Sequence, residues 1–138
     1  AGTISFNIKQ MNHGLVAAIL NDYFNIAVRN ECFCAHPYVE KMLELTHSDQ
    51  IEKAKEKVHH IAWHTEPWMG MVRVSFGIYN IEDEVDSFIH ALNDIINNRE
   101  KYAKNYTINI HGDYTHKHFS FSSKDYFSLT KTIQQEIR

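Results

Sequence analysis

The sequence has 138 residues, of which 43% are hydrophobic and 22% are charged, and its formal net charge is −3. These values are typical of one compact globular domain and exclude disordered and fibrous chains. The negative charge and the lack of a Lys/Arg cluster argue against nucleic acid as a partner. The longest apolar run, Leu15–Leu20, is far shorter than a membrane span, and no secretory leader pattern opens the chain. We therefore expect a cytoplasmic protein with no membrane contact.

The N-terminal part of the chain predicts a strand, a helix and a second strand. Ala1-Gly2 runs directly into an alternating stretch, Thr3–Ile8, that predicts a half-buried strand. Because no initiator methionine precedes it, we expect the chain to be a piece of something longer. Asn12 is a suitable N-cap for a helix that ends near Asn25. Ile26–Arg29 then predicts a second strand, on which the arginine points away from its apolar neighbours.

Between Pro37 and Gly70 the pattern is helical. Tyr38–Leu45 predicts a short helix, and the pair Thr46 and Asp49 resembles the start signal of another. The apolar positions of that second helix form one stripe: Ile51, Ala54, Val58, Ile61 and Ala62. We expect this stripe to face the core.

A third strand and the clearest helix follow. Met71–Ile78 alternates, so Arg73 and Ser75 lie on the face opposite the apolar residues. The next helix has apolar residues at steps of three and four: Ile81, Val85, Phe88, Ile89, Leu92, Ile95 and Ile96. We expect it to pack lengthwise on the sheet.

The C-terminal part predicts two more strands, Tyr106–Ile110 and His118–Phe121, on either side of a turn at His111-Gly112-Asp113. Ser122 with Asp125 would then open a final helix. Its inward positions are Tyr126, Leu129, Ile133 and Ile137. Together these elements predict an α+β fold, a small and mostly antiparallel sheet covered on one face by helices.

Chemistry is expected in the segment Arg29–Pro37, which contains both cysteines of the chain, Cys32 and Cys34. The two cysteines are too close in sequence for an easy disulfide, and in a reducing compartment they would be thiols. If the apolar strand faces pack on helices, Arg29 and Arg73 both project from the other side of the sheet. Two guanidinium groups there are a candidate clamp for a carboxylate or a phosphate. The alternative is that each is an ordinary surface arginine.

Two motifs resemble a known family. Cys34-Ala35-His36-Pro37 stands where the cysteine desulfurase and selenocysteine lyase branch of the class V aminotransferases has Cys-Ala-x-Pro. Met71–Asn80, followed by Glu82–Asp86, is similar to the strand and helix start that follow this loop in that family. The first strand, helix and strand also match in order, so the resemblance covers about residues 3–97.

The resemblance implies the C-terminal small domain of a fold type I enzyme that depends on pyridoxal 5'-phosphate. The Schiff-base lysine and the cofactor-binding residues then belong to an N-terminal large domain, usually of a homodimer, so this chain would be inactive alone. Lys117, which follows His116, is not taken as that lysine. We expect the small domain at residues 1–105, an insertion at about 38–69, and a C-terminal extension at 106–138.

The resemblance also implies roles for single residues. Cys34 would be the nucleophile that takes sulfur from a cysteine substrate and holds it as a persulfide, while Arg73 would bind the substrate α-carboxylate. Arg29 and His36 would belong to the same substrate pocket. A thiolate is the effective nucleophile, and Glu31 opposes its formation electrostatically.

Other interpretations stay open. Cys32, Cys34 and His36 alternate and could bind zinc with a histidine nearby in the fold. The candidates for that histidine are His13, His47, His59, His60 and His64. Structural zinc sites usually space their cysteines by two to four residues, so we expect no metal. Cys34 could instead be an inert buried thiol. The chain could also be a binding or regulatory module without catalysis, or part of an enzyme of another class V activity in which Cys34 carries no sulfur.

Overall fold

The computed structural model describes residues 2–43 and 70–120. Its elements in chain order are β1 (Thr3–Phe6), α1 (His13–Phe24), β2 (Arg29–Glu31), α2 (His36–Met42), β3 (Met71–Ser75), α3 (Glu82–Asn97), α4 (Arg99–Ala103), β4 (Tyr106–Ile108) and β5 (Tyr114–His116). None of the helices in the described ranges is long and apolar enough to cross a membrane. The helix signals at Thr46 with Asp49 and at Ser122 with Asp125, and the stripes after them, lie outside the described residues.

Strand β3 is the centre of a three-stranded antiparallel sheet with the order β1-β3-β2. In this register Phe6 lies opposite Val72, and Arg29 lies opposite Arg73. Because side chains alternate along a strand, Val72 and the arginines face opposite sides of the sheet. Strands β4 and β5 form a separate antiparallel hairpin. The predicted α+β fold with a small antiparallel sheet is confirmed.

Helix α1 covers the apolar face of the sheet and has a polar residue at each end. The side-chain oxygen of Asn12 accepts a hydrogen bond from the backbone N–H of Gly14 at 2.7 Å, which starts the helix. Asn25 ends it in the left-handed conformation, with φ 55°, and donates its backbone N–H to Asn21. Between the caps, Val16, Ile19 and Leu20 are completely buried. They form the centre of the core.

Helix α3 packs beside α1 through its buried residues Phe88, Ala91 and Ile95. The ring of Phe88 lies between those of Phe6 and Phe76, with centroid distances of 6.0 and 6.2 Å. These edge-to-face contacts join the helix to the outer strand β1 and to the residue that follows β3.

The hairpin of β4 and β5 is bound to α1 by a polar and aromatic contact. Tyr106 is buried in the same core as α1, and its hydroxyl donates to Asp22 at 2.9 Å. Tyr102 in α4 is also buried, and its hydroxyl donates to Asp94 of α3. The division into a domain of residues 1–105 and an extension of 106–138 stays a prediction, although Tyr106 packs in the core of the preceding residues.

Two predicted strands end or begin at other residues. Strand β2 begins at Arg29 and not at Ile26, whose backbone N–H donates to Leu20 at the end of α1. Strand β3 ends at Ser75, so the predicted end of this strand at Ile78 is wrong, and Ile78 is 98% exposed. The cause is a turn, because the side chain of Asn80 accepts the N–H of Gly77 and redirects the chain.

The last strand and part of the longest helix also differ from expectation. The strand predicted at His118–Phe121 is found at Tyr114–His116, since the side-chain oxygen of Asn109 accepts from two backbone N–H groups and closes the turn early. Four α3 positions expected in the core are exposed: Ile81, Val85, Ile89 and Ile96. Within residues 2–43 and 70–120 the sheet has three strands, and its central strand has five residues, so this sheet covers part of the apolar arc of α3.

Candidate active-site loop

The turn between β2 and α2 has an unusual backbone. Glu31, Phe33 and Cys34 all have positive φ angles, of 82°, 54° and 61°. Only glycine adopts this region without steric cost, and each non-glycine residue held in a sparsely populated region costs about 1–3 kcal/mol. A hydrogen bond from the N–H of Ala35 to the carbonyl of Cys32, at 2.7 Å, closes the turn. Such strain clusters at functional sites, where the surrounding structure holds it.

The two cysteines of this turn have different environments. Cys32 is 6% exposed and forms a small second core with Val39 of α2 and Met71 of β3. Cys34 is exposed. Cys32 therefore anchors the turn to the sheet, while the Cys34 thiol is available to a reactant. The alternative that Cys34 is an inert buried thiol fits the position of Cys32 better than that of Cys34.

Arg29 and Arg73 lie directly opposite each other on the face of the sheet away from α1 and α3. Like charges at directly opposed positions of two strands destabilise a sheet. Arg73 is half-buried, and its Nε is buried with no acceptor among the described residues. A bound anion would supply that acceptor and offset the repulsion.

Phe33 connects the arginine face to the cysteine turn. Its ring lies 5.0 Å from Cζ of Arg73, in cation–π contact. Since Phe33 directly precedes Cys34, this contact places the exposed thiol one residue from the side chain that covers the guanidinium. We call Arg29, Phe33, Cys34 and Arg73 the arginine–cysteine site.

The sequence identified Arg29, Cys34 and Arg73. For Phe33 the sequence favours core packing over lining a substrate mouth, yet an aromatic residue next to a candidate nucleophile, near an arginine of a neighbouring strand, is the signal that could have identified it. His36 is the first residue of α2, and its side chain lies outside what the structure describes. Its assignment to the substrate pocket stays a prediction.

The two guanidinium groups of the arginine–cysteine site suit a carboxylate. In the described ranges no group of three or more His, Cys, Asp or Glu residues is arranged to hold a metal ion. Neither 29–35 nor 71–75 contains a lysine, so the site has no amine with which to hold pyridoxal phosphate covalently. Its guanidinium groups are planar paired donors, which match a carboxylate.

Comparisons with known proteins find a family and a relative that the chain resembles. The family model "Aminotransferase class-V" matches residues 1–88, which include the arginine–cysteine site. A molybdenum cofactor sulfurase from Bombyx mori is 29% identical over 101 residues. That similarity covers 66% of this chain but 12% of the sulfurase, so the chain spans a small part of its relative. No solved structure matches the chain.

Proposed function

Because the chain belongs to the class V aminotransferase family, we propose that it is the small domain of an enzyme that removes sulfur from an amino acid, most similar to cysteine desulfurases. The exposed Cys34 thiol, held in a strained turn next to the Phe33 ring that contacts Arg73, is the observation that carries this proposal. Similarity to a protein named as a sulfurase favours sulfur chemistry over transfer of an amino group.

Arg73 binds the α-carboxylate of the substrate in this proposal. Its Nε is buried and has no acceptor among the described residues, so a carboxylate oxygen gains a charge-assisted hydrogen bond there. Phe33 covers the guanidinium and shields it from water, which strengthens the ion pair. Arg29, directly opposite, adds positive charge to the same face.

Cys34 receives the sulfur. Its thiolate attacks the sulfur of a cysteine substrate, and a bond forms between the two sulfurs while the carbon–sulfur bond of the substrate breaks. The electron pair stays with the substrate carbon, which takes up a proton. The products are alanine and a persulfide on Cys34. Pyridoxal 5'-phosphate, on which the family depends, supplies the electron sink that makes the substrate carbon–sulfur bond breakable.

The rest of the active site belongs to another part of the enzyme. The segments around the arginine–cysteine site contain no lysine, so the covalent attachment of the cofactor is provided by the proposed N-terminal large domain, in a homodimer. The 138-residue chain alone is then inactive, even with added pyridoxal phosphate. Release of sulfide by the isolated chain would contradict this part of the proposal.

The decisive experiment compares Cys34→Ala with Cys32→Ala in the protein that joins residues 1–138 to the large domain. Alanine and sulfide release from L-cysteine are measured with a reductant present. We expect Cys34→Ala to lower turnover by at least about 100-fold, because the sulfur loses its acceptor. Cys32→Ala is the matched control, since it removes a buried thiol of the same turn and should retain turnover. Unchanged turnover in Cys34→Ala would exclude the persulfide role and favour another class V activity.

A further inference from the structure

The face of the sheet that contains the two arginines also has a row of hydroxyl groups. Because side chains alternate along a strand, the residues that share the face of Arg73 are those at odd positions of β1 and β3. They include Thr3, Ser5 and Ser75. The Thr3 and Ser75 hydroxyls are 3.3 Å apart and hydrogen-bond to each other. Ser5 is half-buried, and its hydroxyl takes part in no such bond among the described residues.

Ser5 is a close cross-strand neighbour of Arg73, and the register pairs the two residues directly. The backbone N–H of Phe76 donates to the carbonyl of Gly2 at 3.0 Å, so β3 bonds to β1 through its even-numbered residues. Ser5 and Arg73 are thus a non-hydrogen-bonded pair, in which the Cα atoms lie about 4.5 Å apart and the side chains approach closely. Arg29 pairs with Arg73 on the hydrogen-bonded side, where the Cα distance is about 5.5 Å.

Among the described residues, Ser5 and Arg73 each have a donor without an acceptor. The Nε of Arg73 is buried and has no hydrogen-bond partner in these ranges, so Ser5 Oγ does not accept from it. Two donors that do not bond to each other, on directly opposed residues, suit one ligand with two acceptor oxygens. A carboxylate is such a ligand, because its two oxygens accept from two donors at once.

Phe33 determines the side of Arg73 on which this ligand lies. Phe33 continues from the end of β2, and its ring contacts the guanidinium with a distance of 5.0 Å between the ring centroid and Cζ. Strand β1 lies on the other side of β3 from β2, so Ser5 is on the opposite flank of Arg73. Since an aromatic ring has no acceptor oxygen, the hydrogen-bonded ligand of Arg73 belongs on the β1 side.

We propose that Ser5 binds the substrate carboxylate together with Arg73, an inference that rests on the proposed function. One carboxylate oxygen accepts from Nε of Arg73, and the other accepts from the Ser5 hydroxyl. An ester of the same amino acid has one good acceptor oxygen in place of two, so it cannot use both donors. Ser5 is therefore a specificity-determining residue, which selects an amino acid with a free carboxylate.

The first test measures acetate binding to the 138-residue chain by NMR of the arginine Nε–H groups, with chloride as the ionic-strength control. We expect Ser5→Ala to weaken acetate binding at Arg73 by at least about 3-fold, because the carboxylate loses one hydrogen bond. Ser5→Thr keeps the hydroxyl and should bind acetate as the wild type does. Ser75→Ala is the matched control, since it removes a hydroxyl of the same face, and it should leave binding unchanged.

The possible results separate Ser5 from the rest of the site. Equal affinities in wild type and Ser5→Ala, or equal losses in Ser5→Ala and Ser75→Ala, would overturn the role of Ser5 while the role of Arg73 stands. An Nε–H signal of Arg73 that does not respond to acetate in any of these proteins would overturn both roles. None of these results depends on Cys34, so the persulfide part of the proposed function is tested separately.

The complete enzyme gives a second test. Ser5→Ala should raise the KM for L-cysteine by about 5-fold and leave kcat unchanged, because the carboxylate is held equally in the ground state and the transition state. The KM for L-cysteine methyl ester, in which the carboxylate is blocked, should be the same in the wild type and in Ser5→Ala. If Ser5 only supported the strand, both KM values would rise equally, and that result would contradict the proposal.

Discussion

Arg73 is the residue whose surroundings most restrict what the arginine–cysteine site can bind. Its Nε is buried without an acceptor in the described part of the chain, Phe33 covers its guanidinium, and a second arginine lies directly across the strand pair. The unpaired Nε and the opposed arginine cost free energy in the unliganded fold, whereas the cation–π contact with Phe33 is favourable. A carboxylate offsets both costs, which is why we assign substrate binding to this side chain.

Replacing Arg73 by lysine tests that assignment. Lysine keeps the charge but loses the planar pair of donors, so the substrate carboxylate is held less well. We expect kcat/KM for L-cysteine in the complete enzyme to fall by about 10- to 100-fold, mostly through KM, as a lost charge-assisted hydrogen bond is worth about 1.5–3 kcal/mol. Arg29→Lys is the control at the opposed, exposed position and should cost less. Equal losses in both variants would mean that the two arginines act only as general positive charge.

At the scale of single elements, α3 begins with a carboxylate that both caps the helix and titrates. The Glu84 carboxylate accepts hydrogen bonds from the Asn80 side chain at 2.8 Å and from the backbone N–H of Ile81 at 3.1 Å. These two bonds, the Asn80 bond foremost, lower the pKa of Glu84 below its ordinary value of 4.5. The ionised form is therefore the one that stabilises the start of α3.

The stabilisation that the Glu84 carboxylate provides decreases as the pH falls. A carboxyl group with a lowered pKa stabilises the fold fully above pH 4.5, and this stabilisation is lost as the pH falls through the lower folded value. The free energies of urea unfolding of wild type and Glu84→Gln should therefore differ at about pH 7, and this difference should shrink as the pH falls below 4.5. A difference that persists at the lower pH would mean that the amide and the carboxylate cap the helix differently for a reason unrelated to charge.

Most helices and strands were predictable from the sequence. The features that were not predictable have physical causes. Asn12 and Asn25 marked the ends of α1, and the alternation around Arg73 gave its face, because both are local signals. The left-handed backbone at Phe33 and Cys34 had no signal, since neither is glycine. The exposure of Ile89 was also hidden, because periodicity gives the direction of a helix face and not the width of the sheet that covers it.

At the scale of the whole molecule, two tyrosine hydroxyls that donate to aspartates join the part of the chain after α3 to the longer helices. Tyr102 donates to Asp94, and Tyr106 donates to Asp22. Burial, and then the hydrogen bond to Asp94, raises the pKa of Tyr102 to about 12 from its ordinary value of 10.0. Burial and the contact with Asp22 also raise the pKa of Tyr106 well above its usual range.

These raised pKa values predict alkaline unfolding. A tyrosine with a raised pKa contributes stability that is complete below pH 10.0 and is lost as the pH rises through its folded value, about 12 for Tyr102. The free energy of unfolding in urea should fall over that interval. At about pH 8 the free energy of unfolding of Tyr102→Phe should be lower than that of the wild type, because Asp94 loses a hydrogen-bond donor. Above pH 10 the free energy of the variant should decline less steeply than that of the wild type. Parallel declines in the two proteins would show that Tyr102 is not a group that titrates on unfolding.

The opposite burial of Cys32 and Cys34 bears on how long captured sulfur would survive. An accessible thiolate two residues from a persulfide could attack its outer sulfur, form a new bond to it and break the bond that holds it to Cys34. The packing of Cys32 against Val39 and Met71 withholds that thiol from the reaction. A sulfur atom on Cys34 would thus be protected from the Cys32 thiol. It would stay on Cys34 until an acceptor from outside the chain takes it.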